Sequence, residues 1–481
     1  MRRRLAAIAL TLTMAGAACS GNQAVAGHQS ANGAVVTPTT GGPGATPASP
    51  SGGTAATGPG LSASGGSAPA PGTRAAGAPL PAPPAPGTVE HTSGGQAFQV
   101  ANLFPAAQDR IGFTSKQITL CLHAPLILGP AFSDSQTDWN VYWQWLNDRG
   151  GIDGRAVKMF YTDDEYTPQG GVQAAQQCQQ DNPFFMTAGV GFDTVPAVRA
   201  WAEQNKMLYL ASFATENGLY NLKYTFQVQP SVEQFGAIAG DYTGVKDPGR
   251  FGVIWRNSPN WQGGRDRFEA SVRAHGSKVV ADVPVQENQG DYSAAILQLQ
   301  MSGAQTVLAW MNVLEFAQLE KQAAAQGYHP RWVTAAFNLV TQTVGSDIDG
   351  TKGASPAVGL WVTPEFHTGD TTDPWSPEER TMEAAFAHYD PKHTLTDTDW
   401  QAWLGFKGIT QLLLDCGSDC SRNKLAGMFL GGYRAVLPPL CPIDFGRGRG
   451  RLGAFALNVM QVTDRNGTPG WKQVASCAET F

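Results

Sequence analysis

The sequence predicts an α/β protein of two lobes, each an open, mostly parallel sheet with helices on its faces. Three observations predict it. From about Gly112 onward, apolar strand-like runs alternate with helical segments, a rhythm that argues for parallel sheets. The rhythm starts afresh near Arg250, so a second unit succeeds the first. At 481 residues the chain also exceeds what one small core serves.

The chain opens MRRRLAAIALTLTMAGAACSGN. Arg2 to Arg4 form a basic n-region, and Leu5 to Met14 an apolar stretch too short to stay in a bilayer as a helix. The layout is that of a secretory signal, residues 1–19. The small residues Gly16, Ala17 and Ala18 before Cys19 resemble a bacterial lipobox, in which that cysteine is lipidated. Gly16 departs from the leucine usual there, and the alternative is an ordinary cleaved signal with an incidental cysteine. No later stretch is apolar for long enough to cross a membrane. The expected product is therefore exported, soluble and tethered by lipid to the outer face of the cytoplasmic membrane.

Residues 20–111 are expected to form a disordered linker, being rich in Gly, Ala, Pro, Ser and Thr with too little apolar bulk to offset their ordering entropy. As a coil of roughly 75 residues it would span about 50 Å.

The first unit then reads in order. QITLCLHAPL is a buried strand. TDWNVYWQWLNDRGG is a helix with Trp139, Tyr142, Trp143 and Leu146 at i, i+3, i+4, i+7, closed by Gly150 and Gly151. AVKMFYTDD is a strand, GGVQAAQQCQQD a helix, FFMTAGVG a strand, TVPAVRAWAEQN a helix and MLYLASFA a strand. The second unit runs RFGVIWRN, a helix with Phe268 and Val272 inward, KVVADVPV, and a helix opening at Asp291 with Tyr292, Ile296 and Leu299 inward. TVLAWMN, EFAQLEKQAAAQG and RWVTAAF continue it. GLWVT and the helices PEERTMEAAFAHY and DTDWQAWLGFKGITQLLLD add to lobes already begun.

Chemistry is conspicuous by what is missing. There is no GxSxG, no GxxxxGK[ST] and no HExxH. His388 and His393 read as isolated surface histidines, and no metal or cofactor is expected. A net charge of −6 without a basic stripe leaves nucleic acid an unlikely partner. Asp163 and Asp164, which end a strand before Thr167-Pro168, read as turn and helix-start acids accepting backbone N–H groups. No enzyme activity is expected.

The segments GFTSKQITLCLHAPLILGP and LNDRGGIDGRAVKMFYTDDEYTP, succeeded in order by MLYLASFATENG, YTFQVQPSVEQFG, FGVIWRNSPNWQGG, DYSAAILQLQMSGAQTVLAW, AQLEKQAAAQG and GLWVT, resemble the type I periplasmic solute-binding proteins. More narrowly they resemble the branched-chain amino-acid binding family that serves ABC importers. The resemblance implies two Rossmann-like lobes joined by three hinge crossovers, with a ligand in the cleft between them. It divides the chain into a first lobe at 112–240 and 356–445 and a second at 241–355 and 446–481. It further implies hinge closure over a small molecule and delivery by a monomer to a membrane permease, with ATP hydrolysis on another polypeptide. The rivals are a ligand sensor of the same fold and a secreted α/β hydrolase.

In an open α/β sheet, ligands sit at the carboxyl ends of strands, where helix N-termini offer free N–H groups. Asp193 is placed there as a candidate N-cap, with Thr194 beside it. Phe213, Ala214 and Thr215 come after the next strand, and both loops match family positions that hold a ligand carboxylate. Trp261 stands where the family usually has a ligand-facing tyrosine, and Asn312 comes after the next strand. Each is otherwise a cap or core residue. After RWVTAA, amino-acid-binding relatives carry a carboxylate for the ligand's ammonium, whereas this chain has Ala336, Phe337 and Asn338. An ammonium buried without a paired anion is costly, so an ordinary branched-chain amino acid fits poorly. Phe132, Phe192, Phe213, Trp261 and Phe337 form an aromatic-rich candidate wall suited to an apolar, aromatic or sugar-like ligand.

Apart from Cys19, the chain has Cys121, Cys178, Cys416, Cys420, Cys441 and Cys477. Six cysteines in an exported chain suggest disulfides, and sequence alone allows about fifteen pairings. In a sheet ordered 2-1-3, the helix joining strands two and three crosses strand one, which would bring Cys178 to Cys121. Cys416 and Cys420 flank a short turn, leaving Cys441 with Cys477.

Overall fold

The computed structural model describes residues 77–126, 136–189, 191–339, 357–361, 363–364, 376–465 and 468–480. The signal, Cys19 and most of the spacer lie outside these residues.

The expected spacer ends earlier than 111. Residues 89–99 form a hairpin of β1 (Val89–His91) and β2 (Ala97–Gln99). Phe98, Val100 and Phe104 are buried, so this part of the segment does carry apolar anchors that a composition average hides. Asn423 holds the chain just after the hairpin. Its amide oxygen accepts from the Leu103 and Phe104 N–H groups, and its nitrogen donates to the Phe104 carbonyl.

The first lobe then builds β3 (Gln117–Ala124), α1 (Gln136–Asn147), β4 (Ala156–Asp163), α2 (Pro168–Gln180), β5 (Met186–Ala188), α3 (Thr194–Asn205), β6 (Tyr209–Ala211) and β7 (Thr225–Gln227). The second builds α4 (Val232–Lys246), β8 (Arg250–Arg256), α5 (Pro259–Ala274), β9 (Lys278–Val285), α6 (Ser293–Ser302), β10 (Thr306–Trp310), α7 (Val313–Ala325), β11 (Arg331–Ala335) and β12 (Val358–Trp361). The chain returns to the first lobe with α8 (Ser376–Tyr389), α9 (Asp397–Cys416), α10 (Arg422–Leu430), β13 (Arg434–Ala435), β14 (Ile443–Gly448) and β15 (Leu452–Ala454). It closes in the second with β16 (Leu457–Arg465) and β17 (Thr468–Ala478).

The eight-stranded sheet runs β13-β14-β15-β7-β6-β5-β3-β4 and the seven-stranded one β17-β16-β12-β11-β10-β8-β9. Both therefore contain the same parallel 2-1-3-4-5 order, with antiparallel strands added at one edge. Three crossovers join them, at 228–231 after β7, after β12, and at 455–456 after β15. Three expected boundaries move. α4 packs into the second lobe's core, so the second lobe begins at about 232 and not at 241. β12 pairs with β11 in the second sheet, so the second lobe extends past 355. β14 and β15 belong to the first sheet, so the final return falls after 454 and not at 446.

Periodicity explains the packing. On α1, Trp139, Tyr142, Trp143 and Leu146 are all buried, and so are Val141 and Trp145, because α9 covers the face turned from the sheet: Tyr142 meets Trp403 edge-on at 4.9 Å. In the second lobe α4 and α5 approach closely along Gly236 and Gly264, where an added Cβ at Gly236 would run into the Gly264 carbonyl.

The strand-ending acids are structural. Asp163 accepts from the N–H groups of Leu126 and Glu165, and Asp164 from that of Tyr166. Asp164 also pairs with His123 at 2.8 Å, whose other nitrogen meets the Tyr209 hydroxyl at 2.7 Å. Burial pushes the Tyr209 phenol well above its usual value, and the Asp164 carboxylate adds to it.

Disulfides join Cys121 to Cys178, Cys416 to Cys420 and Cys441 to Cys477. The first ties β3 to α2 across the sheet face. The last connects the loop before β14 in the first lobe to β17 in the second sheet, so it is a covalent link between lobes beside the third crossover.

Gly236→Ala is expected to lower the unfolding free energy by about 1–3 kcal/mol despite alanine's better helix propensity, because the backbone of α5 cannot yield to the new methyl. Urea denaturation of the two proteins checks it.

Candidate functional site

The loops that leave the carboxyl ends of the two sheets face each other. From the first lobe come Phe192 and Asp193 after β5, and Phe213 to Thr215 after β6. From the second come Arg256 at the end of β8, Ser258 just after it, Trp261 in the first turn of α5, and Asn312 after β10.

Asp193 precedes α3 yet makes no side-chain bond to that helix, so the expected cap is corrected. Its carboxylate crosses to the other lobe. There it accepts from the Arg256 guanidinium at 2.9 Å, the Ser258 hydroxyl at 3.2 Å, the Asn260 amide at 2.8 Å and the Trp261 indole N–H at 2.9 Å. Arg256 in turn reaches Glu315 and Glu287, both at 3.1 Å. Burial alone would lower the Arg256 pKa. The surrounding Glu315, Tyr166, Glu287 and Asp193 more than offset that and hold it above the ordinary value. A guanidinium with planar donors to several carboxylates suits this junction better than an ammonium would.

Beside the carboxylate the junction is aromatic. Phe192 lies 4.3 Å from the Trp261 ring, 5.0 Å from Phe213 and 5.2 Å from Trp310. Phe213 reaches Phe235 at 5.7 Å and Trp361 at 5.3 Å. These rings are buried, and Phe192 and Phe213, though on first-lobe loops, pack into the core of the second lobe. The lobes thus meet through aromatic contacts, each worth about 0.5–1.5 kcal/mol beyond the area it buries.

The remaining sequence candidates divide. The Thr215 hydroxyl donates to Glu233, which also takes the Glu216 N–H. The Thr194 hydroxyl is buried and unpaired. Ala214 is buried against the α2 and α3 side of the first sheet. Asn312 caps α7 in a reciprocal box with Glu315. Phe132 and the Phe337 side chain lie outside the described residues. Asn338 is buried on the Met311 carbonyl and the Thr334 hydroxyl. His393 is not isolated: it bonds Asp399 at 2.8 Å and lies 3.6 Å from Asp138, and with Asp390 these ligand atoms converge. Arg256, Glu315 and Glu233 were not singled out from sequence. The Asn-x-x-Glu signature of a capping box at 312–315 was the available signal for Glu315.

A second feature lies behind the junction. A cavity of about 230 Å³ runs between the first sheet and α9. Leu122 and Leu210 floor it, and Ala402, Gly405 and Gly408 form much of its α9 wall. Gln229, Thr363 and Ala456, one from each crossover, line its other end. An added Cβ at Gly405 would meet nothing within 4 Å. Two interior glycines in one helix cost about 1 kcal/mol each relative to alanine.

A family model described as periplasmic binding protein matches residues 134–467. The Leu/Ile/Val-binding protein homolog 1 of Brucella suis is 28% identical over 221 residues, 43% of this chain and 57% of that protein. An amino acid binding protein of Pseudomonas aeruginosa is 24% identical over 269 residues, 50% of this chain and 71% of that one. The chain spans a little over half the length of the first of these relatives. Among solved structures, the fatty acid ABC transporter substrate-binding protein from Thermomonospora curvata superposes with a TM-score of 0.62 at 17% identity, covering 77% of this chain and 94% of that one. The solute-binding protein of an R. palustris ABC transporter, in complex with 4-hydroxybenzoate, gives 0.61 at 13% identity, covering 76% and 98%. At these identities the structural likeness carries the fold alone.

Asp193→Ala leaves Arg256 with Glu287 and Glu315 but removes every cross-lobe bond that the carboxylate accepts. The variant is expected to weaken the lobe contact by about 2 kcal/mol and to open the molecule. A larger radius of gyration in solution scattering, with red-shifted tryptophan emission, checks it.

Proposed function

The chain belongs to the periplasmic binding protein family, whose model matches residues 134–467, and from that premise we propose that it is a lipid-anchored receptor that captures a small solute and presents it to an ABC importer. Members of the family are extracytoplasmic solute-binding proteins and not enzymes. The observation that carries the reading is the pair of sheets with one shared strand order, tied by three crossovers and meeting at Asp193. Such a joint lets one lobe hold a guest while the other rotates over it. The closed surface formed by both lobes is then what a permease reads. Cys19 tethers the protein beside that permease. No helix among the described residues is long and apolar enough to cross a membrane.

The solute is apolar or aromatic and not a free branched-chain amino acid. Asp193 is committed to Arg256, Glu315 to the same guanidinium and to backbone N–H groups, and Glu233 to Thr215 and Glu216. An ammonium entering the junction would have to displace one of these pairs, leaving Arg256 or a backbone donor unsatisfied. The solutes named for the structural neighbours, 4-hydroxybenzoate and a fatty acid, fit that preference better than the Leu/Ile/Val names of the sequence relatives.

A thermal-shift screen of the full chain tests the reading. An apolar solute at about 100 times its Kd adds about 2.7 kcal/mol of stability, whereas leucine at millimolar concentration leaves the melting temperature unchanged. Stabilisation by leucine alone would overturn the ligand class, and silence from every solute would overturn solute capture itself. Separately, Cys19→Ala is expected to move the protein from the membrane fraction of its host to the soluble fraction, read by immunoblot.

A further inference from the structure

We propose that the second lobe carries a carboxylate receptor, which Asp193 fills while the lobes meet. The cargo is an arylalkanoate, an aromatic ring joined by a short spacer to a carboxylate, and it takes the receptor when the lobes part. This rests on the solute-binding reading and gives the aromatic solute a place in the cleft between the lobes and a charged end.

One short stretch of chain builds the receptor. Arg256, Ser258, Asn260 and Trp261 stand within residues 256–261, at the end of β8 and the start of α5. Asp193 Oδ1 accepts from the Ser258 hydroxyl at 3.2 Å and the Asn260 amide at 2.8 Å. Its Oδ2 accepts from the Arg256 guanidinium and the Trp261 indole N–H, both at 2.9 Å. Each oxygen takes two bonds, so a carboxylate is fully served there, whereas a hydroxyl has too few lone pairs to accept them all. The position also faces the N-terminus of α5, whose partial positive charge favours an anion.

These donors are held without help from the first lobe. Glu315 fixes Arg256 at 3.1 Å, Ser258 is the N-cap of α5, and the Trp261 carbonyl accepts from the Trp310 indole at 2.8 Å. Glu287, the other second-lobe acid on Arg256, is 62% exposed, so water screens it. The receptor therefore stays organised as the lobes separate, and an organised site binds with little ordering cost. The Asp193 side chain is 18% exposed, which puts the receptor at a rim that a solute can reach.

The residue before Asp193 supplies the aromatic half. The Phe192 ring lies 4.3 Å from that of Trp261 and 5.2 Å from that of Trp310. Trp261 thus meets a phenyl ring with its own ring and a carboxylate with its N–H. Adjacent side chains of the first lobe present to the second the same two groups that an arylalkanoate carries. Latch and cargo then compete for one receptor. The apparent Kd is the intrinsic one divided by the fraction of molecules in which Asp193 has withdrawn, so removing the Asp193 carboxylate tightens binding.

The test titrates 3-phenylpropanoate, 3-phenylpropan-1-ol, butanoate and leucine at pH 8 into the full chain and into Asp193→Ala, with binding followed by tryptophan fluorescence and melting temperature. Asp193→Ala is expected to bind 3-phenylpropanoate at least tenfold more tightly than the wild type does. It should also prefer that acid at least tenfold over the alcohol and over butanoate, which lacks the ring. Asn260→Ala, added to Asp193→Ala, removes one donor and no charge. It should weaken the acid severalfold and leave the alcohol unchanged, whereas a merely structural role would weaken both. Equal affinity of Asp193→Ala for acid and alcohol, or no gain over the wild type, overturns the proposal. If other solutes stabilise the wild-type chain while 3-phenylpropanoate binds neither protein, this inference fails and the solute-binding reading stands. If no solute binds either protein, both fail.

Discussion

One carboxylate sets the relation between the two lobes. Asp193 belongs to the first lobe by sequence and to the second by hydrogen bonding, since Arg256, Ser258, Asn260 and Trp261 all donate to it. Four donors surround that carboxylate, and Arg256 is itself held by Glu315. The junction is therefore a chain of charges in which each member depends on the next. Around it, Phe192 and Phe213 insert into the second lobe's core, so separating the lobes exposes large apolar area as well as breaking ion pairs. Separating the lobes therefore carries a free-energy cost.

Much of the fold was legible because it rests on period and repetition. Trp139, Tyr142, Trp143 and Leu146 fall on one helical face in the sequence and are buried in the structure. The recurrence of strand–helix units near Arg250 corresponds to a second sheet of the same strand order. The pairing of Cys121 with Cys178 is a consequence of that order, because α2 must cross β3 to reach the far side. What was not legible depends on contacts between distant residues. Nothing local tells that Asp193 turns away from its own helix toward a guanidinium 63 positions on. Phe98, Val100 and Phe104 were lost in the average composition of a Gly/Ala/Pro-rich segment, although Phe98 and Val100 stand two apart, as the buried positions of a strand do. At Asn312 the capping role was legible locally, since its partner Glu315 stands three residues on.

The two candidate places for a solute differ in what they would demand of it. At the junction every charge is already matched, and the aromatic rings fill the space between the loops. A guest there must displace protein–protein contacts and recover their free energy from its own. Behind the first sheet, Gly405 of α9 leaves open space where a side chain would stand, and no charged residue is among the described residues lining the cavity there, so a guest would displace no ion pair.

The Cys441–Cys477 disulfide constrains how such a receptor moves. It ties the loop before β14 to β17, beside the third crossover, and Cys441 itself lines the cavity. A covalent link this near the joint leaves rotation free but forbids the lobes from sliding apart at that edge. The lobes are thus tied covalently near the third crossover and non-covalently at the junction, where Asp193 pairs with Arg256, so separating the strand-end loops means breaking the second tie while the first holds.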